Sequence, residues 1–186
     1  MARGQRQIGA RIVLGGEADF RQQVQSCNTS LRTMRSEMNM VTQQFAGQAN
    51  SVEALEARHS TLERTLSEST RLQETLEEAL ANARRNYEEA GSSLESYESQ
   101  LASARTALAE LERQQSETSD ESITQHIEEQ RAQMQELEGV VQRAERAYAQ
   151  SGDAVQNWQR QLNDARTQSM RFTAELEDVS QYLEEA

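Results

Sequence analysis

The sequence predicts an all-α protein of long coiled-coil-like helices arranged as helical hairpins, preceded by a short N-terminal extended arm or strand. Three observations predict it. The 186 residues contain no proline and are dominated by Glu, Gln, Arg, Ala, Leu and Ser, mostly strong helix formers. Apolar residues recur at alternating spacings of three and four. The second half of the chain repeats much of the first. With 35% hydrophobic residues and 4% aromatics there is little to fill a wide core, which argues against a sandwich or a doubly wound sheet.

The arm covers residues 1–16. Ile12, Val13 and Leu14 precede Gly15-Gly16 and read as a short strand. A lone strand is unstable in water, so this one must pair with another chain, lie on the helices or stay disordered. Its apolar centre is too short for a secretory leader. Arg3, Arg6 and Arg11 make the arm basic, but three charges do not form a nucleic-acid site.

The first helix is expected over 17–47. Phe20, Val24, Cys27, Leu31, Met34, Met38, Val41 and Phe45 form an unbroken heptad seam. Gly47 then serves as a left-handed break. Residues 51–115 are read as a first helical unit, started by a capping box of Asn50 and Glu53. Its seam runs from Val52 through Leu55, His59, Leu62, Leu66, Ser69 and Gln73 to Leu76, Leu80, Ala83 and Tyr87. Three of those positions are polar, and Leu72 beside Gln73 compensates. Gly91 is read as a break, with Ser92 and Glu95 capping the restart that carries Tyr97. The polar run Ser116 to Ser122 is a loop or helix restart capped by Ser119 or Asp120. A second unit follows over 121–186, with a break at Gly152, a cap at Asp153 and a seam through Trp158.

A shift of 61 residues superimposes the two units. Leu76 falls on Leu137, Ala83 on Ala144, Tyr87 on Tyr148, Gly91 on Gly152 and Tyr97 on Trp158. Ala104-Arg105-Thr106 recurs as Ala165-Arg166-Thr167. The glycines admit two readings, a tight turn within each unit or a kink in a continuous rod. A glycine directly followed by a capping box favours the turn, with each unit folding on itself.

Charge and chemistry exclude more than they suggest. Thirty-one acids face 19 basic residues, all arginine, for a net charge of −12, so no nucleic-acid site is evident. No stretch is apolar for long enough to span a membrane. His59 and His126 are solitary, His59 on the seam as a register residue and His126 beside it. Cys27 reads as a small buried hydrophobe, since no base stands near it in the pattern. No nucleotide, hydrolase or zinc motif is present. The expectation is therefore no enzyme, no catalytic residue, no cofactor and no metal. The candidate packing and partner-binding residues are Phe20, Val24, Leu31, Met34, Met38, Val41, Phe45, Tyr97 and Trp158. Self-association through the heptad seams is the expected mode of partnering, and the mixture of Ile, Val, Leu and Ala leaves dimer and trimer equally open.

The head of the chain carries an ordered set of motifs beyond the heptads. Ile12 to Leu14 precede Gly16-Glu17 and Phe20. A helix with Ser36-Glu37-Met38, Val41-Thr42 and Phe45 follows, then Ser51 to Leu55, and later Asn157 to Asn163 around Trp158. This order resembles the N-terminal region of phage and prophage tail tape measure proteins. The chain departs from that family in having no lysine where its members are Lys-rich, and in being far shorter. The resemblance implies a structural protein that sets tail length. It would partner tail tube and other tail proteins, in the host cytoplasm during assembly and then in the lumen of the virion tail. With a last heptad that has no stop signal, it also implies an N-terminal piece of a longer ruler. As one helix, 186 residues span roughly 280 Å at about 1.5 Å per residue. The alternative reading is a free-standing intracellular coiled-coil hairpin adaptor that binds protein through the Met-rich seam of residues 20–45.

Overall fold

The computed structural model describes residues 16–118 and 121–185. They form three helices, α1 (Glu17–Gln44), α2 (Val52–Glu117) and α3 (Glu121–Glu185), and no strand among the described residues. The fold is all-α, as expected. The strand proposed within residues 1–16 falls almost wholly outside the described residues, as do the caps proposed at Ser119 and Asp120.

Local chemistry explains the helix ends. Gly16 adopts φ +85° and its carbonyl accepts the Phe20 N–H at 3.1 Å, opening α1. Glu17 and Asp19 place negative charge in that first turn, where exposed backbone N–H groups and the helix dipole favour it. After Gln44 the chain tightens through Phe45 and Ala46 and turns at Gly47, whose φ of +86° a side chain would strain. The start of α2 differs in detail from the expected Asn50 cap. The Ser51 hydroxyl accepts the Ala54 N–H at 3.2 Å, which satisfies one otherwise orphaned donor.

The principal correction concerns Gly91 and Gly152. Neither breaks a helix: α2 runs through Gly91 and α3 through Gly152. A glycine inside a helix costs about 1 kcal/mol relative to alanine. Ending a helix orphans up to four donors and four acceptors, so a glycine flanked by strong helix formers is absorbed. Ser92-x-x-Glu95 and Asp153-x-x-Gln156 satisfy the capping pattern yet lie in helix interior. The reversal comes instead at the polar Ser116–Ser122 run, between the repeats rather than inside them. Across it, the Gln115 side-chain amide donates to the Thr124 hydroxyl at 2.8 Å.

Two compact units result, and they cut across the repeats. The described part of unit 1 comprises residues 84–118 and 121–154; that of unit 2 comprises 16–83 and 155–185. Unit 1 is a pair of antiparallel helical segments with a narrow seam of Ala90, Leu101, Ala104 and Leu108 against Ile127, Val140, Val141 and Ala144. Unit 2 adds α1 as a third helix. Leu55, Leu62 and Val179 form a buried cluster there, with Met38, Leu176 and Leu183 packed on it. Each such leucine contributes about 1.5–3 kcal/mol by leaving water.

The third helix changes what α2 must bury. Alongside the seam, Ala54, Thr61, Thr65, Leu72, Thr75 and Ala79 are all buried, forming a second face. Thr61, Thr65 and Thr75 fit because their hydroxyls donate to the carbonyls of Ala57, Thr61 and Arg71 one turn back. Ser69, wholly buried, has no partner for its hydroxyl among the described residues. Leu72 is buried, as its expected compensating role requires.

Candidate functional site

The feature with the most specific geometry is in unit 1, where the repeat-matched tyrosines meet. The rings of Tyr87 and Tyr148 stack with centroids 4.5 Å apart and planes 18° from parallel. Their hydroxyls share a short hydrogen bond. That bond is the main reason the Tyr148 phenol is held above its usual range, with desolvation adding to it. Each ring also covers the glycine of the opposite helix. A Cβ at Gly91 would lie 3.2 Å from Cε2 of Tyr148, and a Cβ at Gly152 would lie 3.3 Å from Cε2 of Tyr87. The two glycines thus permit close ring-to-backbone approach rather than a turn. Ala90 and its repeat counterpart Ser151 are both fully buried one residue before them. The Ser151 hydroxyl is satisfied by the Tyr148 carbonyl at 2.8 Å.

Two ion pairs bridge the helical segments of unit 1 between the stack and the Ser116–Ser122 run. Arg105 pairs with Glu138 at 3.2 Å, and Arg131 with Glu112 at 2.7 Å. The Gln130 amide lies 3.4 Å from the Ala104 carbonyl. In unit 2, Arg166 pairs with Glu77 at 2.6 Å. Arg166 is the repeat counterpart of Arg105, and Glu77 that of Glu138.

The α1 seam residues lie in unit 2. Val24 and Cys27 are buried; Phe20, Leu31, Met34, Met38, Val41 and Phe45 are half-buried. Leu31, Met34 and Met38 line an open groove of about 290 Å³ with Leu62 and Phe172, and Arg35, Arg171 and Glu175 also line it. Met40, by contrast, is 58% exposed. Trp158 is 2% exposed and borders a second groove with Val24 and Asn28 of α1. Its repeat counterpart Tyr97 lies in unit 1 and is only half-buried. These two candidate packing residues, equivalent in the repeat, therefore sit in two different environments.

The polar residues weighed for chemistry are dispersed. His59 faces Glu63 one turn on, at 3.6 Å, and His126 is exposed. Burial pushes the Cys27 thiol above its ordinary value, opposed by nearby Arg71 and reinforced by Glu68. Among the described residues no three His, Cys, Asp or Glu side chains gather as a metal site would require. No helix of the described residues is long and apolar enough to cross a membrane.

Sequence reasoning missed the second face of α2 and the bridging ion pairs. The first is hidden because threonines there read as polar. The second was legible in part: the same shift that superimposes the tyrosines puts Glu77 on Glu138 and Arg105 on Arg166, but gives no counterpart to Arg131–Glu112. No known protein family, characterised protein or solved structure matches this chain.

Proposed function

We propose that this chain is a structural ruler element, belonging to the N-terminal part of a tail tape measure protein and acting with tail tube and other tail proteins during virion assembly. The observation that supports the reading most is helix continuity: α2 and α3 run without interruption through Gly91 and Gly152. A ruler needs a fixed rise per residue, and only an unbroken helix supplies one. The ordered head motifs from Ile12 to Leu55 support it from the sequence side. In this reading the hairpin opens on assembly, and the α2 and α3 seams find their neighbours within the tail.

The test is a length measurement. Deleting residues 62–122 in frame removes one 61-residue period. At about 1.5 Å per residue, tails measured by electron microscopy are expected to shorten by about 90 Å. Viable particles with tails of unchanged length overturn the proposal.

The groove beside Leu31, Met34 and Met38 favours a second reading, a coiled-coil hairpin adaptor that holds one protein partner against α1. Methionines give such a surface an adaptable apolar lining. That reading expects tail length to be indifferent to the deletion and partner capture to be lost with Met34→Ser.

A further inference from the structure

In unit 1 the Tyr87–Tyr148 stack is formed by residues that are each other's repeat counterparts, and the Gly91–Tyr148 approach is matched by Gly152–Tyr87. Contacts that map onto themselves when the two sides are exchanged define an isologous interface, the arrangement found between identical subunits of a two-fold dimer. One ion pair obeys the same exchange, Arg105–Glu138 in unit 1 having Arg166–Glu77 in unit 2 as its counterpart, whereas Arg131–Glu112 has threonines, Thr70 and Thr173, at its repeat positions. Both helices consequently carry one recognition pattern in the same order and spacing. On α2 it is Glu77, Tyr87, Gly91 and Arg105; on α3 it is Glu138, Tyr148, Gly152 and Arg166.

A face that accepts its own repeat counterpart also accepts itself. We propose that the α2 seam around Tyr87 and Gly91 pairs antiparallel with the same seam of a second copy of this chain, and that the α3 seam around Tyr148 and Gly152 does likewise. In this register Tyr87 stacks on Tyr87 of the second copy, Gly91 accommodates that ring, and Arg105 meets the second copy's Glu77. A foreign helix would have to reproduce a tyrosine, a glycine one turn later and both charges at their distances; a second copy supplies all four. Each opened chain carries two such faces, so a chain paired through α2 still offers α3, and association proceeds beyond the dimer.

The folded hairpin suppresses this pairing by tethering one face to the other at an effective concentration on the order of millimolar. Pairing between copies is therefore expected when hairpins close in a crowded solution. This inference stands on the repeat contacts and is independent of any role in a tail.

The test uses the full chain with Cys27→Ala, so that each variant has one thiol. Glu88→Cys places it on an exposed position beside Tyr87, leaving ring and glycine intact. Ala149→Cys is its counterpart on α3. Ser99→Cys is the control, since in the proposed register two such thiols lie 24 residues apart along the helix pair, roughly 36 Å. Each variant is unfolded in urea, refolded across a range of concentrations and treated with a short bis-maleimide. Covalent dimer that rises with concentration for Glu88→Cys alone and for Ala149→Cys alone, and stays at background for Ser99→Cys, is the expected result. Equal yields at positions 88 and 99 overturn the proposal. So does cross-linking only in a mixture of Glu88→Cys and Ala149→Cys chains, which would show that copies merely exchange hairpin arms in the parent register. Tyr87→Ala added to Glu88→Cys is expected to reduce the yield, while circular dichroism confirms that the helices persist.

Discussion

Replacing the interior glycines with alanine separates two effects that usually travel together. Gly91, Gly139 and Gly152 all lie in unit 1 and all lie inside helices. Each alanine therefore gains about 1 kcal/mol of helix propensity. What differs is the space. At Gly139 an added Cβ meets only the end of the Arg143 side chain at 3.5 Å, which swings aside. At Gly91 it comes 3.2 Å from the Tyr148 ring and at Gly152 3.3 Å from the Tyr87 ring. Ordinary carbon contacts are at about 3.5–4.0 Å. The rings must shift by a few tenths of an ångström, and each is backed by the other. Overpacking of this kind costs about 1–3 kcal/mol, enough to cancel or exceed the propensity gain. Gly139→Ala is thus expected to stabilise the protein by about 1 kcal/mol. Gly91→Ala and Gly152→Ala are expected to be neutral to destabilising by about 2 kcal/mol, and close to each other. Urea unfolding followed by circular dichroism at 222 nm measures all three, and for a chain of this size each kcal/mol moves the melting midpoint by about 2–4 °C. Equal stabilisation by all three substitutions would refute the close-approach role of Gly91 and Gly152. A large difference between Gly91→Ala and Gly152→Ala would refute the two-fold character of the site.

Other consequences follow from single side chains. Ser69→Ala removes a buried hydroxyl that has no partner among the described residues and is expected to stabilise unit 2 by about 1 kcal/mol in the same urea assay; a loss of stability would show that the hydroxyl is satisfied. The Tyr148 phenol, raised chiefly by its bond with Tyr87, is expected to titrate late in absorbance at 295 nm and to move down toward the ordinary tyrosine range in Tyr87→Phe. Because the folded state holds that proton more tightly, its contribution to stability is complete below the ordinary tyrosine value. It is lost as pH rises through the folded value, so Tyr87→Phe flattens the alkaline limb of the stability profile. Glu110 is held down to about 2 by hydrogen bonds from Arg113 and then Gln114. Its carboxyl resonance is expected to titrate there and to return to the normal carboxylate range in Arg113→Gln. The associated stabilisation of the exposed end of α2 is present above the ordinary glutamate value and disappears as pH falls through about 2. Cys27, 2% exposed and raised by burial, is expected to react with a thiol reagent only as fast as unit 2 opens; immediate labelling would place it at the surface.

The heptad spacing was enough to locate α1 and the inward direction of Val24, Cys27 and Met38, because a 3.5-residue period has one physical solution. The polar Ser116–Ser122 run also marked a real discontinuity. The glycines misled for a specific reason. A glycine followed by Ser-x-x-Glu satisfies the local rule for a helix start, yet the alternatives differ by about 1 kcal/mol per residue, and packing of the flanking turns outweighs that. The repeat held the answer in a form that pattern reading does not test. Two matched tyrosines identify equivalent positions, but whether equivalents sit apart or face each other depends on where the chain reverses. The second face of α2 was illegible for another reason. Thr61, Thr65 and Thr75 hide their polarity in carbonyls one turn back, so a threonine that looks solvent-facing by type behaves as a small apolar residue. As for the candidate seam residues, spacing placed them in helices, but it carried no information on which unit each would join.

The separation of Tyr97 from Trp158 has an implication for how such a chain changes over generations. In a dimer of identical subunits every substitution is inherited twice, once on each side of the axis, and an asymmetric improvement has no way to arise. Joining the two copies in one polypeptide removes that constraint. Tyr97 is free to remain a half-covered phenol in unit 1 while its sister position becomes an indole buried beside α1. Ser69 and Gln130 have parted in the same manner, one a buried hydroxyl without a partner among the described residues of unit 2, the other reaching a carbonyl across a two-helix seam. The freedom is used position by position: Ala90 and Ser151 differ inside the tyrosine–glycine site, while Ala104-Arg105-Thr106 and Ala165-Arg166-Thr167 are the same in two different units.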